Sequence, residues 1–212
     1  MISMIRPITP IIPRQFPAFH SADWTVLLNM SVIFLVSIFA AFCISRYAAN
    51  KQDGNKSKTA WLFIGITALV TMALFCFFGC AATTIKGIIL CLILAFCSYS
   101  DLKSRECDDY PHLMIVIAAF IGIELTALPG MFLSALAVFA IMFLAMFMKA
   151  TVNGADLKLA TACTFLLGFE KGVAGLLVGL LVAVIVNLIK KNKGGFPLIP
   201  YLAIGYMMAY FI

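Results

Sequence analysis

The chain has 212 residues, of which 64% are apolar and 11% are charged, whereas an ordinary soluble domain has roughly 25% charged residues. This composition excludes a protein whose main solvent is water and predicts an all-α fold, a polytopic bundle of membrane helices. The formal charge of +6 does not indicate a nucleic-acid partner, because the basic residues lie in short runs between apolar segments, where membrane orientation signals are found.

The first 23 residues precede the first apolar run. They contain four prolines and lack a continuous apolar stretch, so they do not fit a cleavable signal peptide. We therefore predict an extramembrane N-terminal arm over residues 1–23 and a single transmembrane domain over residues 24–212.

Eight apolar runs follow this arm, and seven of them are long enough to cross the hydrocarbon layer as helices, which takes about 20 residues. The remaining run, Leu157 to Phe169, spans only about 20 Å as a helix. It crosses only if its start lies below the membrane surface, which predicts that Asp156 lies inside the protein. The predicted membrane segments are 24–45, 60–79, 83–100, 111–127, 130–149, 157–169, 172–189 and 196–212.

The seventh run carries small residues on one helical face. Gly175 and Gly179 have the G-x-x-x-G spacing, which lets helices approach closely in lipid. We expect close packing in the final helical hairpin and assign these glycines no other role.

The basic residues predict the orientation of the chain. Of the 15 Lys and Arg residues, eleven fall in one set of alternate loops and four in the other. Cytoplasmic loops carry the excess of basic residues. We therefore predict that both termini face outward and that the cytoplasmic loops are 46–59, 101–110, 150–156 and 190–195.

Five of the nine acidic residues fall on this predicted cytoplasmic side: Asp101, Glu106, Asp108, Asp109 and Asp156. Asp101 follows the third apolar run and Asp156 precedes the sixth, so helix ends facing one compartment could bring them together. We predict that the third and sixth segments are neighbours and that the carboxyl oxygens lie within roughly 5–6 Å of each other. Paired carboxylates catalyse hydrolysis without a metal, since one serves as base and the other as acid. Boundary aspartates are also common without catalysis, and spacing alone leaves both interpretations open.

Three short segments carry more specific information. SDLKSR at 100–105, NGADLKL at 153–159 and FPLIPYLAIG at 196–205 resemble, in this order, the first-aspartate motif, the glycine-x-aspartate motif and the closing segment of the type IV prepilin peptidases. The resemblance covers roughly residues 83–212. Relatives have a proline–asparagine pair where this chain reads Asp108-Asp109, which is a departure from the family pattern.

The resemblance implies an intramembrane aspartyl endopeptidase with Asp101 and Asp156 as the catalytic pair and no cofactor. The implied partners are a prepilin or pseudopilin substrate and the lipid bilayer, with no nucleic acid. Cleavage of the basic leader would take place at the cytoplasmic boundary of a bacterial inner membrane. The seven cysteines include no C-x-x-C pair, and larger family members use two such pairs for methylating the new N-terminus. The sequence therefore favours cleavage over methyl transfer.

The residues flanking Asp156 are predicted to contact the substrate. Gly154 and Ala155 leave room for an extended peptide beside the carboxylate, although Gly154 also fits an ordinary helix-start turn. Lys158 lies two residues after Asp156, where it either adjusts the ionisation of the carboxylate or anchors the helix end at lipid phosphates.

Three acids of the loop after Asp101 are predicted to attract the basic leader: Glu106, Asp108 and Asp109. A solvated acidic turn is the alternative explanation. Two other functions also remain open for the whole chain. One is a non-catalytic membrane subunit of a pilus or secretion machine. The other is a proton-coupled transporter, although its acids should lie near mid-membrane and its halves should repeat.

Overall fold

The fold was analysed in a computed structural model that describes residues 24–52, 54–123, 125–148, 153–190 and 196–212. Within these ranges the chain forms eight α-helices, one 3-10 turn at Leu125–Ala127 and no β-strand. The predicted all-α fold is thereby confirmed, whereas the predicted N-terminal arm lies outside the described residues. The helices are α1 (Trp24–Lys51), α2 (Lys56–Phe78), α3 (Ala82–Ser104), α4 (Tyr110–Ala119), α5 (Leu128–Phe147), α6 (Gly154–Leu167), α7 (Phe169–Lys190) and α8 (Ile199–Tyr210).

Five helices are long and apolar enough to cross a membrane: α1, α2, α3, α7, and α5 together with the turn before it. Their outer faces keep large apolar side chains exposed, as in Leu35, Phe132 and Leu181, which suits contact with lipid tails rather than water. Helices α4, α6 and α8 have 10, 14 and 12 residues, or about 15–21 Å. The bundle therefore combines five membrane-length helices with three short ones.

The fourth helix is shorter than the predicted run 111–127. It ends at Ala119, and Gly122 then takes a left-handed conformation with φ +65°. Glycine adopts this conformation without the steric cost that a side chain adds. A 3-10 turn leads from there into α5. The turn at Gly122 therefore ends the helix within an apolar run that is long enough to cross a membrane.

Helices α3 and α6 occupy the centre of the bundle. Helix α3 packs against α1, α2, α4 and α8, and α6 packs against α4, α5, α7 and α8. The two central helices therefore share α4 and α8 as neighbours.

Ion pairs join several loops and helix ends at one end of the bundle. Lys51, at the end of α1, pairs with Asp108, and Lys158 of α6 pairs with Asp109 at 2.6 Å. Both aspartates lie in the connection between α3 and α4. We call this end of the bundle the aspartate end.

Hydrogen bonds join the helices at the opposite, far end. The Tyr210 hydroxyl of α8 donates to the Thr83 carbonyl at 2.6 Å, and the Lys86 ammonium donates to the Ala119 carbonyl at 3.1 Å. Helix α1 begins at Trp24 and reaches the aspartate end 28 residues later. Both ends of the described chain therefore lie at the far end, although the membrane side that this end faces stays a prediction.

Helices α7 and α8 pack backbone against backbone. A Cβ atom added at Gly205 of α8 would overlap main-chain atoms of Gly175 and Gly179, and one added at Gly179 would lie 2.8 Å from the Leu202 Cα. The close packing predicted from the G-x-x-x-G spacing is present, and a third glycine on the partner helix completes it. This packing fixes the position of α8.

We predict that Gly205→Ala destabilises the protein by about 1–3 kcal/mol or more, because the added methyl group meets backbone that cannot rotate away. Gly65→Ala is the matched control: an added Cβ there meets no atom within 4 Å, and alanine favours the helical backbone. Unfolding of both variants in mixed detergent micelles measures the difference. Equal stability of the two variants would contradict the packing described for α7 and α8.

Candidate active site

Asp101 lies in the last turn of α3 and is only 6% exposed. Its Oδ2 accepts a hydrogen bond of 3.1 Å from the Ile199 amide. Ile199 begins α8, where no side chain caps the helix locally, so this N–H has no partner within its own helix. A carboxylate is favourable there because a helix N-terminus carries partial positive charge.

Helix α3 ends at Ser104, three residues after Asp101. Arg105 takes a left-handed conformation with φ 57° and ψ 22°, and its N–H donates to the Asp101 carbonyl at 3.1 Å. Such a conformation is unusual for a residue with a side chain. It turns the chain away from the helix axis and places the Arg105 charge where it acts on Asp101.

Asp156 lies in the first turn of α6 and is only 3% exposed. Its Oδ2 accepts a hydrogen bond of 2.9 Å from the Asn153 amide, which is the return bond of a capping box. Asp156 therefore lies inside the protein, as the shortness of the sixth apolar run predicted, and it stabilises the start of its own helix.

The two buried carboxylates lie at the same end of the bundle, and the charge of Asp101 acts on Asp156. Our prediction that their helices are direct neighbours is wrong, because no Cα of α3 lies within 8 Å of a Cα of α6. The short helices α4 and α8 each pack against both and hold them apart. The predicted separation of roughly 5–6 Å between the carboxyl oxygens stays a prediction.

Two carboxyl groups in a buried site cannot both carry charge cheaply, because like charges repel strongly where water is excluded. Such a pair divides the work, with one member accepting a proton and the other donating one. The arrangement is therefore suited to general acid–base hydrolysis. Among the described residues, no group of three or more His, Cys, Asp or Glu side chains is placed to hold a metal ion.

The acids of the loop after α3 differ in their surroundings. Asp108 pairs with Lys51, Asp109 pairs with Lys158, and Glu106 is exposed. The hydrogen bond from Lys158 holds the pKa of Asp109 below its usual value. Two of the three acids predicted to bind a basic leader therefore already have a basic partner within the chain.

Lys158 was predicted either to act on Asp156 or to anchor the helix end. Its ammonium instead lies 2.6 Å from Asp109, so it links α6 to the loop before α4. This contact does not test whether Lys158 also binds the substrate.

The space beside Gly154 is open. Among the described residues, which leave out 149–152, a Cβ atom added there would meet nothing within 4 Å, and the glycine does not use the left-handed region. Ala155 is partly buried. The clearance expected next to Asp156 is therefore present, whereas the conformational freedom of glycine is not used.

Sequence reasoning did not identify two hydrogen-bond partners at this end. One is the Ile199 amide. The other is Gln52, whose Nε2 donates to the Ser100 hydroxyl at 3.1 Å and to the Ser104 hydroxyl at 3.3 Å. Ser100 and Ser104 are four residues apart and form a polar helical face beside Asp101, which was the only sequence signal for such a contact. Nothing near these serines in the sequence indicated that Gln52 is their partner.

Comparison with known proteins bears on this site directly. Searches of the curated proteins and of the solved structures found no match to the chain. Residues 88–189 match the family model described as the type IV leader peptidase family, and this range contains both Asp101 and Asp156. This match supports the resemblance to the type IV prepilin peptidases over residues 88–189.

Proposed function

We propose that the chain is a prepilin leader peptidase, an intramembrane aspartyl endopeptidase that uses Asp101 and Asp156 as its catalytic pair. The observation that carries this proposal is the burial of both carboxylates at one end of the bundle, inside the segment that matches the family. The two residues are 6% and 3% exposed. A carboxylate is costly to bury and needs a compensating role.

The backbone hydrogen bonds leave acceptor positions free on both carboxylates. Each carboxylate accepts one backbone N–H, from Ile199 or from Asn153, and an ionised carboxylate has about four acceptor positions. In the proposed reaction, one carboxylate takes a proton from water as the oxygen attacks the peptide carbonyl carbon. The other carboxyl group gives a proton to the departing amine. The backbone bonds hold both side chains in place meanwhile.

The proposed substrate is a prepilin or pseudopilin with a short basic leader and an apolar helix. The leader would meet Glu106 and the two ion pairs of Asp108 and Asp109 at the aspartate end. Exposed ion pairs are worth little individually, so the basic side chains of a leader can replace Lys51 or Lys158 at small cost. The lipid bilayer is the other proposed partner of the chain.

The aspartate end is proposed to face the cytoplasm of a bacterial inner membrane. The support is the sequence pattern, in which eleven of the 15 Lys and Arg residues fall on the predicted cytoplasmic side, because cytoplasmic loops carry such an excess. A leader that stays in the cytoplasm would then reach the catalytic pair without crossing the membrane.

We predict that alkaline phosphatase fused after Ile212 is active outside the cytoplasm, because the far end then faces outward. The same enzyme fused after Lys190, at the aspartate end, is expected to be inactive. Enzyme activity normalised to the amount of fusion protein provides the measurement. The reverse pattern would overturn the proposed orientation and leave the fold unaffected.

We predict that Asp101→Asn and Asp156→Asn each lower the rate of leader removal at least about a hundredfold, the usual range for lost acid–base catalysis. An asparagine Oδ1 can still accept the backbone hydrogen bond, so the fold should be kept. Cleavage of a tagged prepilin from the source genome, followed by gel shift, provides the measurement.

Glu170→Gln is the matched control, because Glu170 is an exposed acid in the first turn of α7, at the far end. It should cleave at the wild-type rate. Near wild-type cleavage by either aspartate variant would return the chain to the non-catalytic subunit considered above.

A further inference from the structure

A cleft separates α4 from α5. Helix α6 packs against both, yet no Cα of α4 lies within 8 Å of a Cα of α5. The cleft has a volume of about 540 Å³, within the range of pockets that hold ligands in other proteins. Its walls are almost entirely apolar and include Leu113, Leu136 and Phe165. We call it the α4–α5 cleft.

The cleft begins next to Asp156 on α6. Leu157 and Lys158 belong to its lining, and they directly follow Asp156 in the sequence. The α6 side of the cleft therefore starts one residue after Asp156. The cleft is placed to take the part of a substrate next to the scissile bond.

One polar side chain in the cleft wall has no hydrogen-bond partner. His112 of α4 is 6% exposed, and neither of its ring nitrogens makes a hydrogen bond to any residue that the structure describes. Backbone groups of Asp108 and Asp109 lie near the ring and act on it, but neither meets the geometry of a hydrogen bond to a ring nitrogen. A buried polar group without a partner lowers stability, so such a residue calls for a functional explanation.

The chemistry of a membrane substrate provides this explanation. A helix must be extended at the bond that is cut, and extension frees backbone N–H and C=O groups. In an apolar site without water each freed group needs a partner. Neutral imidazole has one donor and one acceptor nitrogen, so it can serve either kind of group.

We propose that the α4–α5 cleft binds the apolar segment of the substrate that follows the scissile bond, with His112 hydrogen-bonded to its extended backbone. This inference rests on the proposed peptidase function and assigns His112 as a positioning residue. The occupant is an apolar peptide segment rather than a lipid chain, because an acyl chain has no group for His112 to bind.

A second cleft, between α2, α3 and α8, provides the contrast. It has a volume of about 510 Å³ and includes Leu102 and Pro200, next to Asp101 and Ile199. Within the described part of the chain, none of its lining residues carries a buried polar atom without a partner. The two clefts are therefore alike in size and apolar character and differ in the unpartnered histidine.

Substitution of His112 tests the positioning role. His112→Leu should raise the KM for leader removal roughly three- to tenfold, the effect of one lost hydrogen bond, with little change in kcat. Its melting temperature should equal or exceed that of the wild type, because an unpartnered polar group has been removed. His112→Gln keeps a donor and an acceptor and should restore most of the affinity. A wild-type KM in His112→Leu, or a lower melting temperature without a KM change, would overturn the role.

Photo-crosslinking tests the cleft itself. The full chain carries benzoylphenylalanine at Leu136, in the α4–α5 cleft, or at Ile66, in the second cleft. A tagged prepilin from the source genome should form adducts from Leu136 and not from Ile66. Adducts from Ile66, from neither position, or with lipid alone would overturn the proposal for the cleft. Failure of the unsubstituted chain to remove the leader would instead overturn the proposed function.

Discussion

The hydrogen bond from the Ile199 amide to the Asp101 carboxylate is the contact on which the arrangement of the site depends. It joins residues 98 positions apart and satisfies two needs at once. A helix that starts inside a membrane protein has N–H groups without partners, and a buried carboxylate needs donors. Helix α8 can begin inside the bundle because Asp101, in the last turn of α3, accepts the hydrogen bond of the Ile199 amide.

The short helices follow from the same constraint. Helices α4, α6 and α8 are too short to cross the bilayer alone. Buried residues lie in the first turn of α6 and at the start of α8, namely Asp156 and Ile199, and a backbone N–H that is buried there must be satisfied by protein. Asp156 does this for α6 through the Asn153 amide. The long helices provide the frame, and close glycine packing of α7 on α8 holds the Ile199 amide opposite Asp101. The residues that stabilise the helix starts are thus the residues proposed to catalyse.

The sequence predicted the helices well because each is an apolar run bounded by polar residues or proline. It also predicted the burial of Asp156, from the length of the run that follows. It did not predict that α4 ends at Ala119, because the turn at Gly122 depends on backbone conformation rather than hydropathy. The sequence also did not predict the neighbours of α3 or the pairing of Lys51 with Asp108, since these contacts join positions far apart in the chain. His112 looked like any residue of an apolar helix until the absence of a partner for its ring was visible.

We propose that Asp101 and Asp156 act as one catalytic unit, although α4 and α8 separate their helices. The most direct measurement is a double-mutant cycle on leader removal with the two Asn variants singly and combined. Residues that act as a unit give strongly non-additive effects. We expect the double variant to be about as slow as the slower single variant. Losses that multiply, so that each aspartate contributes independently of the other, would contradict it.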